Sequence, residues 1–321
     1  MRKLAQEHLS KQLTKEAFHM AGTTLQDSFQ HKEQERLGQA SESFFKTVIK
    51  RFAKNKLAMI SLVVFILIIL VALFADVIAP FPRDQSVGQF QAAPYGDHIL
   101  GTDSVGRDVL TRLIHGTQVS LIVGFGSVAI YVVIGTTLGL ISGYFGGFID
   151  SVIMRITEAF QSFPYFLVVL TFVSILNSGL WTVTLIMGLL GWPRLARIVR
   201  GEVLRLKSQD FVYAAIATGY STPAILFKHI LPNLLSPILV NATFGVANNI
   251  LTESSLSFLG VGVEPPRPSW GNILSEAQSL NVLTTQPWRW VPAGLLIFIT
   301  VLCVNFIGEG LREAIEGETK N

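Results

Sequence analysis

Gly101 and Gly106, followed at once by Arg107 and Asp108, have the glycine spacing of a loop that wraps a nucleotide phosphate. Such a loop offers its backbone N–H groups to the phosphates, and a Lys followed by Ser or Thr completes it. Arg107 and Asp108 stand where those two residues belong, so a nucleotide site is rejected. No string in the chain reads G-x-x-x-x-G-K-S/T, so it lacks that device for hydrolysing ATP. The single cysteine, Cys303, excludes an internal disulfide and a cysteine-based metal cluster. Neither a nucleophile motif nor a catalytic carboxylate pair stands out in the apolar stretches. The expectation is a chain that is not an enzyme and binds no metal or cofactor itself. The string from His98 to Gly116 then reads as a capped surface helix. Asp103 or Ser104 would be its N-cap, with Val109, Leu110 and Leu113 on the buried face.

Two other polar constellations remain. Asn241, Gly245, Asn248 and Thr252 fall at i, i+4, i+7 and i+11, which is one helix stripe. Amides in hydrocarbon face protein or water rather than lipid. Asn241, Asn248 and Thr252 therefore either line a translocation path or bond neighbouring helices. The second constellation is Asp210 to Asn233, a short and partly polar island between apolar runs. Phe211 to Thr218 contains no helix breaker, and Gly219 supplies a turn because Gly enters positive φ cheaply. Ser221 or Thr222 can cap a second helix with Pro223 in its first turn, and Pro232 is expected to end it. A helix, a Gly turn and a helix of this size cannot cross a membrane, but they can form a docking surface.

The elements that must position these residues follow from composition. The chain has 321 residues, 50% hydrophobic and 15% charged, against about 25% charged in an ordinary soluble domain. The charge deficit lies in long uncharged blocks, so the fold class expected is an all-α polytopic membrane protein. The net charge of +3 arises from Lys and Arg beside apolar segments. It reports membrane orientation and gives no sign of nucleic-acid binding. A spanning helix needs about 20 apolar residues. Six spans are expected: Leu57 to Ala75, Val119 to Leu140, Ala159 to Leu176 with a kink at Pro164, a fourth from Leu180, Leu234 to Leu256, and Val291 to Gly308. Gly135, Gly139 and Gly143 recur every fourth residue and permit close helix packing. Arg194, Arg197 and Arg200 close the fourth span and are expected to reach the inner headgroups. Glu253 lies about 30 Å along from Leu234 and should sit near the outer interface. The basic flank Lys46 to Lys56 places the N-terminus in the cytoplasm, and six spans return the C-terminus to the same side. The expected divisions are a polar tail over 1–43, a first region over 44–116, five helices over 117–312 and a tail over 313–321.

Four strings, GTDSVGRD, GYFGGFID, the loop from Ala214 to Pro232 and SLSFLGVGVEPPRPSWG, resemble the permease subunits of oligopeptide and dipeptide ABC importers. The resemblance covers nearly everything from Phe44 onward. The first string carries Gly101, Thr102, Asp103, Gly106, Arg107 and Asp108, an extracytoplasmic motif of that family. Ala214, Ala215, Gly219, Leu231 and Pro232 match its cytoplasmic coupling loop, which sits in a groove of an ATPase subunit. The family's Glu is Tyr213 here, and Asp210, one turn earlier on roughly the same face, is the candidate substitute. The resemblance implies a type I importer domain in a bacterial-type cell membrane. It also implies a second permease, two ATPase subunits that use ATP and Mg, and an extracytoplasmic solute-binding protein. Nickel and metallophore importers share this architecture. A stand-alone secondary transporter would need internal repeats or coupling charges within its spans, and neither is visible. A structural membrane scaffold is the remaining rival.

Overall fold

The structure, a computed structural model, describes residues 46–316. The tail expected over residues 1–43 lies outside them, as do residues 317–321. The chain divides into two compact units after Lys54. In the first, residues 46–52 form helix α1. The second carries α2 (Lys56–Leu73), α3 (Ala75–Ile78), α4 (Val109–Phe145), α5 (Gly147–Gln161), α6 (Tyr165–Ile175), α7 (Leu180–Lys207) and α8 (Asp210–Ala217). It continues through a short turn α9 (Thr222–Ala224), a π-helical turn (Ile225–Ile230), α10 (Leu231–Phe258), α11 (Trp270–Leu274), α12 (Leu280–Thr285) and α13 (Val291–Glu316). Among the described residues there is no sheet, only the isolated bridges Tyr95 to His98 and Thr102 to Asp108.

Long uncharged runs become helices because a helix satisfies every backbone N–H and C=O within the segment. Among the described residues five helices are long and apolar enough to cross a membrane, and the bent pair α5–α6 makes a sixth if it crosses as one. Several ends differ from expectation. Asp108, rather than Asp103 or Ser104, is the N-cap of α4, since its Oδ2 accepts from the Thr111 N–H at 2.7 Å. The helix then runs unbroken for 37 residues, about 55 Å. The division expected at 116–117 therefore falls inside it. The third span is not one kinked helix. Pro164 stands before α6 as its N-cap, and α5 and α6 meet at 81°. At this break Pro164 has no N–H to add to the ladder, and it disfavours helical geometry in the residue before it.

Pro232 does not end a helix. The chain passes through the π turn directly into α10, with Pro232 in the first turn of α10, where a missing N–H is tolerated. The sixth span continues past Gly308 to Glu316, and Ala314 is buried. The tail expected over 313–321 is thus helical as far as Glu316, where the described residues end.

Two contacts order the bundle ends. Asn55 caps α2 by accepting from the Ala58 N–H at 3.1 Å, and its Nδ2 donates to Glu313 at 2.9 Å. The start of α2 and the end of α13 therefore share one end. Lys207 Nζ donates to the Tyr144 carbonyl at 2.6 Å, bringing the ends of α4 and α7 together. The core is the α4–α7 seam, where the glycine recurrence does its packing. A Cβ at Gly135 would meet the Trp192 carbonyl at 3.0 Å. One at Gly139 would meet the Ala196 carbonyl at 2.7 Å, and one at Gly143 would meet Val203 Cβ at 2.7 Å. The helices touch backbone to side chain because the glycines offer nothing to keep them apart.

Gly139→Leu should overpack this seam at a cost of about 1–3 kcal/mol and lower the thermal unfolding midpoint of the purified permease. Gly201, on α7 with open space around it, is the control. Gly201→Ala should hold or raise the midpoint, because Ala costs less backbone entropy in a helix.

Candidate functional site

The loop between α7 and α10 presents a small helix with two unlike faces. On α8, Val212 and Ala215 are buried, in one cluster with Leu206, Ile225, Leu226 and Ile230. Asp210 and Ala214 are exposed, and so are the large apolar side chains Phe211, Tyr213 and Ile216. Tyr213 is 58% exposed, so this apolar surface is uncovered rather than half-packed. The helix closes in a Schellman turn. The Tyr220 N–H donates to the Ala215 carbonyl at 3.1 Å, and the Gly219 N–H to the Ile216 carbonyl at 3.0 Å. Gly219 has φ +81°, the left-handed region that favours glycine. Leu231 is half-buried and Pro232 exposed, the first two residues of α10.

What aims this helix is the end of α7. Asp150 on α5 holds Arg200 on α7 in a bidentate pair, at 2.5 and 2.6 Å. Ser142 on α4 donates to the same carboxylate. Lys207 stands 5.4 Å over the Tyr144 ring. Arg200 therefore binds protein, correcting the expectation that it reaches for headgroups; Arg194 and Arg197 are exposed. Asp150 comes from GYFGGFID, whose Gly146 and Gly147 turn the corner from α4 at φ +65° and +53°.

The polar stripe on α10 divides between two surroundings. Asn248 is exposed and Thr252 half-buried, its hydroxyl donating to the Asn248 carbonyl at 2.8 Å. Asn241 is half-buried, and its carbonyl accepts from the Tyr131 hydroxyl at 3.3 Å. That hydroxyl also fills the space a Cβ at Gly245 would need. The buried polar contacts belong to residues the stripe did not include. Asn249 Nδ2 donates to Ser127 Oγ at 2.7 Å. Glu253, fully buried, accepts from Ser257 at 2.7 Å and from Ser120 at 3.3 Å. Ser120, Gly124, Ser127 and Tyr131 run down one face of α4 against Glu253, Ile250, Asn249 and Asn241. The small and polar residues of α4 at those intervals, inside an uncharged span, were the signal that would have found this seam.

At the opposite end from α8, GTDSVGRD is consumed by its own fold. Gly101 and Gly106 have φ +68° and +77°. Asp103, almost wholly buried, accepts from the Val105 and Arg107 N–H groups at 3.0 and 2.9 Å and from Arg107 Nε at 2.7 Å. Arg112 Nε lies 3.4 Å from it. Thr102 donates to the Gln89 carbonyl and accepts from the Ala92 N–H. Asp108, besides capping α4, meets His98 Nδ1 at 2.9 Å. Beyond these, Glu276 pairs with Arg289 at 2.5 Å. Burial pushes the Glu276 carboxyl above the usual range, and the Arg289 charge pulls the other way.

Residues 135–321 match the model of the binding-protein-dependent transport system inner membrane component. The chain belongs to that family. Residues 43–94 match the N-terminal transmembrane domain of oligopeptide transport permease C. The oligopeptide transport system permease protein OppC of Bacillus subtilis is 41% identical over 88% of this chain and 92% of its own. The dipeptide transport system permease protein DppC of Alkalihalophilus pseudofirmus is 37% identical over 86% of this chain and 91% of its own. The glutathione transport system permease protein GsiD of Pectobacterium atrosepticum is 37% identical over 85% and 90%. An inward-facing MetNI methionine ABC transporter structure superposes at a TM-score of 0.52 over 64% of this chain and 96% of that one, at 20% identity. The chain is thus a multi-pass membrane permease of the peptide ABC importer family, with the type I importer fold.

Asp103→Asn should break a buried pair and leave Arg112 without its nearest countercharge, at a cost of about 3–5 kcal/mol. Asp108→Asn keeps a residue that still caps a helix and should cost less. Thermal unfolding of the two purified variants, followed by tryptophan fluorescence, checks the order.

Proposed function

We propose that this chain is one of two permease subunits that form the path of an ATP-driven peptide importer. The reading rests above all on the uncovered apolar face of α8, Phe211, Tyr213 and Ile216, held at a fixed angle by a glycine turn. An apolar face on a short polar-loop helix outside the spans calls for a protein partner. The partner is an ATPase subunit with a groove for the helix, and a second ATPase serves the second permease. Asp210 and Tyr213 contact the groove, while Ala214, Ala215, Gly219, Leu231 and Pro232 shape the loop that presents them. ATP and Mg belong to the ATPases, and this chain holds neither. The end that carries α8 faces the cytoplasm, as does the end where Asn55 meets Glu313. Arg194, Arg197, Arg205, Lys207 and Lys228 near α8 agree with that orientation.

Peptides reach the opposite end from a solute-binding protein. Asn248 and Thr252, on the open face of α10, border the path that the two permeases enclose, with Asn241 at its margin. Closure of the ATPase pair on ATP draws the docking helices together and turns the path outward; hydrolysis resets it. In energetic terms the nucleotide biases a two-state membrane element by binding one state better than the other.

Gly219→Val opposes positive φ at a cost of about 1–3 kcal/mol, and no neighbour crowds the position. The spans should form and the permease pair should still accept the loaded binding protein. ATPase subunits should be lost from the purified pair and peptide uptake into vesicles should collapse; normal retention with normal uptake would refute the docking role. Tyr213→Ala should weaken retention if Tyr213 fills the groove, and Asp210→Ala should do more harm if the acid is the anchor. With Cys303 replaced, a cysteine at Asn248 should react with a water-soluble thiol reagent in one nucleotide state and be shielded in the other. A cysteine at the neighbouring Asn249 should stay unreactive throughout. Equal behaviour of the two would remove the path from this face.

A further inference from the structure

Between the docking loop and α10 the backbone leaves α geometry for six residues, Ile225–Ile230. The Leu231 N–H reaches the Leu226 carbonyl, five residues back instead of four. Leu226, Ile230, Leu234 and Ile238 are all buried, one every fourth residue. In an α-helix a step of four advances about 400°, so such a stripe drifts about 40° per step. Over three steps Leu226 would be turned about 120° away from the core. The wider turn takes the Leu226–Ile230 step, advances less per residue there and so holds Leu226 inward.

The local chemistry holds the turn open. Pro232 has no N–H to offer the Lys228 carbonyl, so the α ladder cannot close there. Asn233 Nδ2 donates to the His229 carbonyl at 2.7 Å. The His229 ring is buried and meets the Tyr220 ring edge-on at 5.1 Å, while its Nε2 has no hydrogen-bond partner. Tyr220 is the residue whose N–H closes the end of α8. A continuous chain of contacts therefore runs from α8 through Tyr220 and His229 into the wide turn and on to α10.

We propose that this π turn sets the rotational phase of the docking loop relative to α10, with His229, Pro232 and Asn233 as positioning residues, so that a push on α8 is delivered to α10 in a fixed direction. The proposal rests on the docking reading of α8. Wide turns of this kind occur often at functional sites. Removing one residue would let the turn become α-helical. Because a π turn fits one extra residue into nearly the rotation of the α turn that would replace it, the phase then stays nearly where it is; closing the turn with every residue kept would instead rotate the chain before it by about 100° relative to α10.

The test uses the whole transporter in vesicles, with the second permease and both ATPases. Phe227 is exposed, so deleting it takes no side chain from the core. Phe227→Ala keeps the turn and controls for the ring. The readout is peptide taken up per ATP hydrolysed, in complexes that carry both ATPases. The Phe227 deletion and Phe227→Ala, which both keep the phase, should leave this ratio unchanged. Pro232→Ala with Asn233→Ala returns an N–H to the ladder and removes the side-chain bond; it should lower the ratio severalfold.

For the double variant, a merely structural role would reduce the number of assembled complexes and leave the ratio alone, and that outcome overturns the proposal. A lost ratio in the Phe227 deletion, whose phase is kept, also overturns it. If the deletion blocks assembly, the double variant decides. Gly219→Val separates the two readings. If it leaves ATPase retention and transport normal, the docking reading fails. If it abolishes them while the double variant behaves normally, only the phase proposal fails.

Discussion

The close approach of α4 and α7 along Gly135, Gly139 and Gly143 is the contact on which the rest of the molecule depends. In lipid, two helices gain little by hiding apolar surface from one another, because the tails around them are equally apolar. Packing contacts and hydrogen bonds must hold them together. α4 supplies both. Its glycine face takes α7, and its face of Ser120, Ser127 and Tyr131 takes α10. At its end, Ser142 joins the Asp150–Arg200 pair that ties α5 to α7. Because α7 is locked along its length, the helix that follows it, α8, leaves the bundle in a defined direction.

The two ends of the bundle treat their polar groups in opposite ways. At one end, Asp103, Asp108, Thr102 and Arg112 are buried and satisfied within the loop that carries them. A buried carboxylate is tolerated only when hydrogen bonds and countercharges surround it, and GTDSVGRD supplies them at short range. The motif is therefore architecture: it caps α4 and folds the segment ahead of it. At the other end, α8 leaves Phe211, Tyr213 and Ile216 in the open. Surface that costs free energy to expose is kept where a partner covers it. The same sequence thus spends its polar residues on closure at one end and leaves large apolar side chains exposed at the other.

Much of this could be read from residue order. The uncharged runs gave the spans, since a helix is the only open-ended segment that satisfies its own backbone in lipid. Gly219 as a left-handed closure and the glycine face of α4 were also legible, because glycine is the residue that permits positive φ and removes the Cβ between packed helices. Local features failed where one residue has two competing uses. Asp103, Ser104 and Asp108 are all good caps. Asp108 wins because Asp103 is engaged by Arg107 and Arg112. Pro232 reads as a stop, yet it sits in the first turn of α10, where its missing N–H costs least.

The sequence alone determined the class of the molecule, its apolar spans and the short-range closures, because these depend on a residue and its near neighbours. Tertiary structure decided which polar residues are buried. Asn248 and Asn249 are adjacent and chemically identical, yet one is open and the other bonds Ser127. Nothing local distinguishes them; the azimuth at which α10 meets α4 does. The partner of Arg200 was likewise settled by a residue 50 positions away in the chain. The π turn follows from the same rule. Its width is the difference between the helix period and the spacing of buried residues that the surrounding bundle demands, and that demand exists only once the bundle has formed.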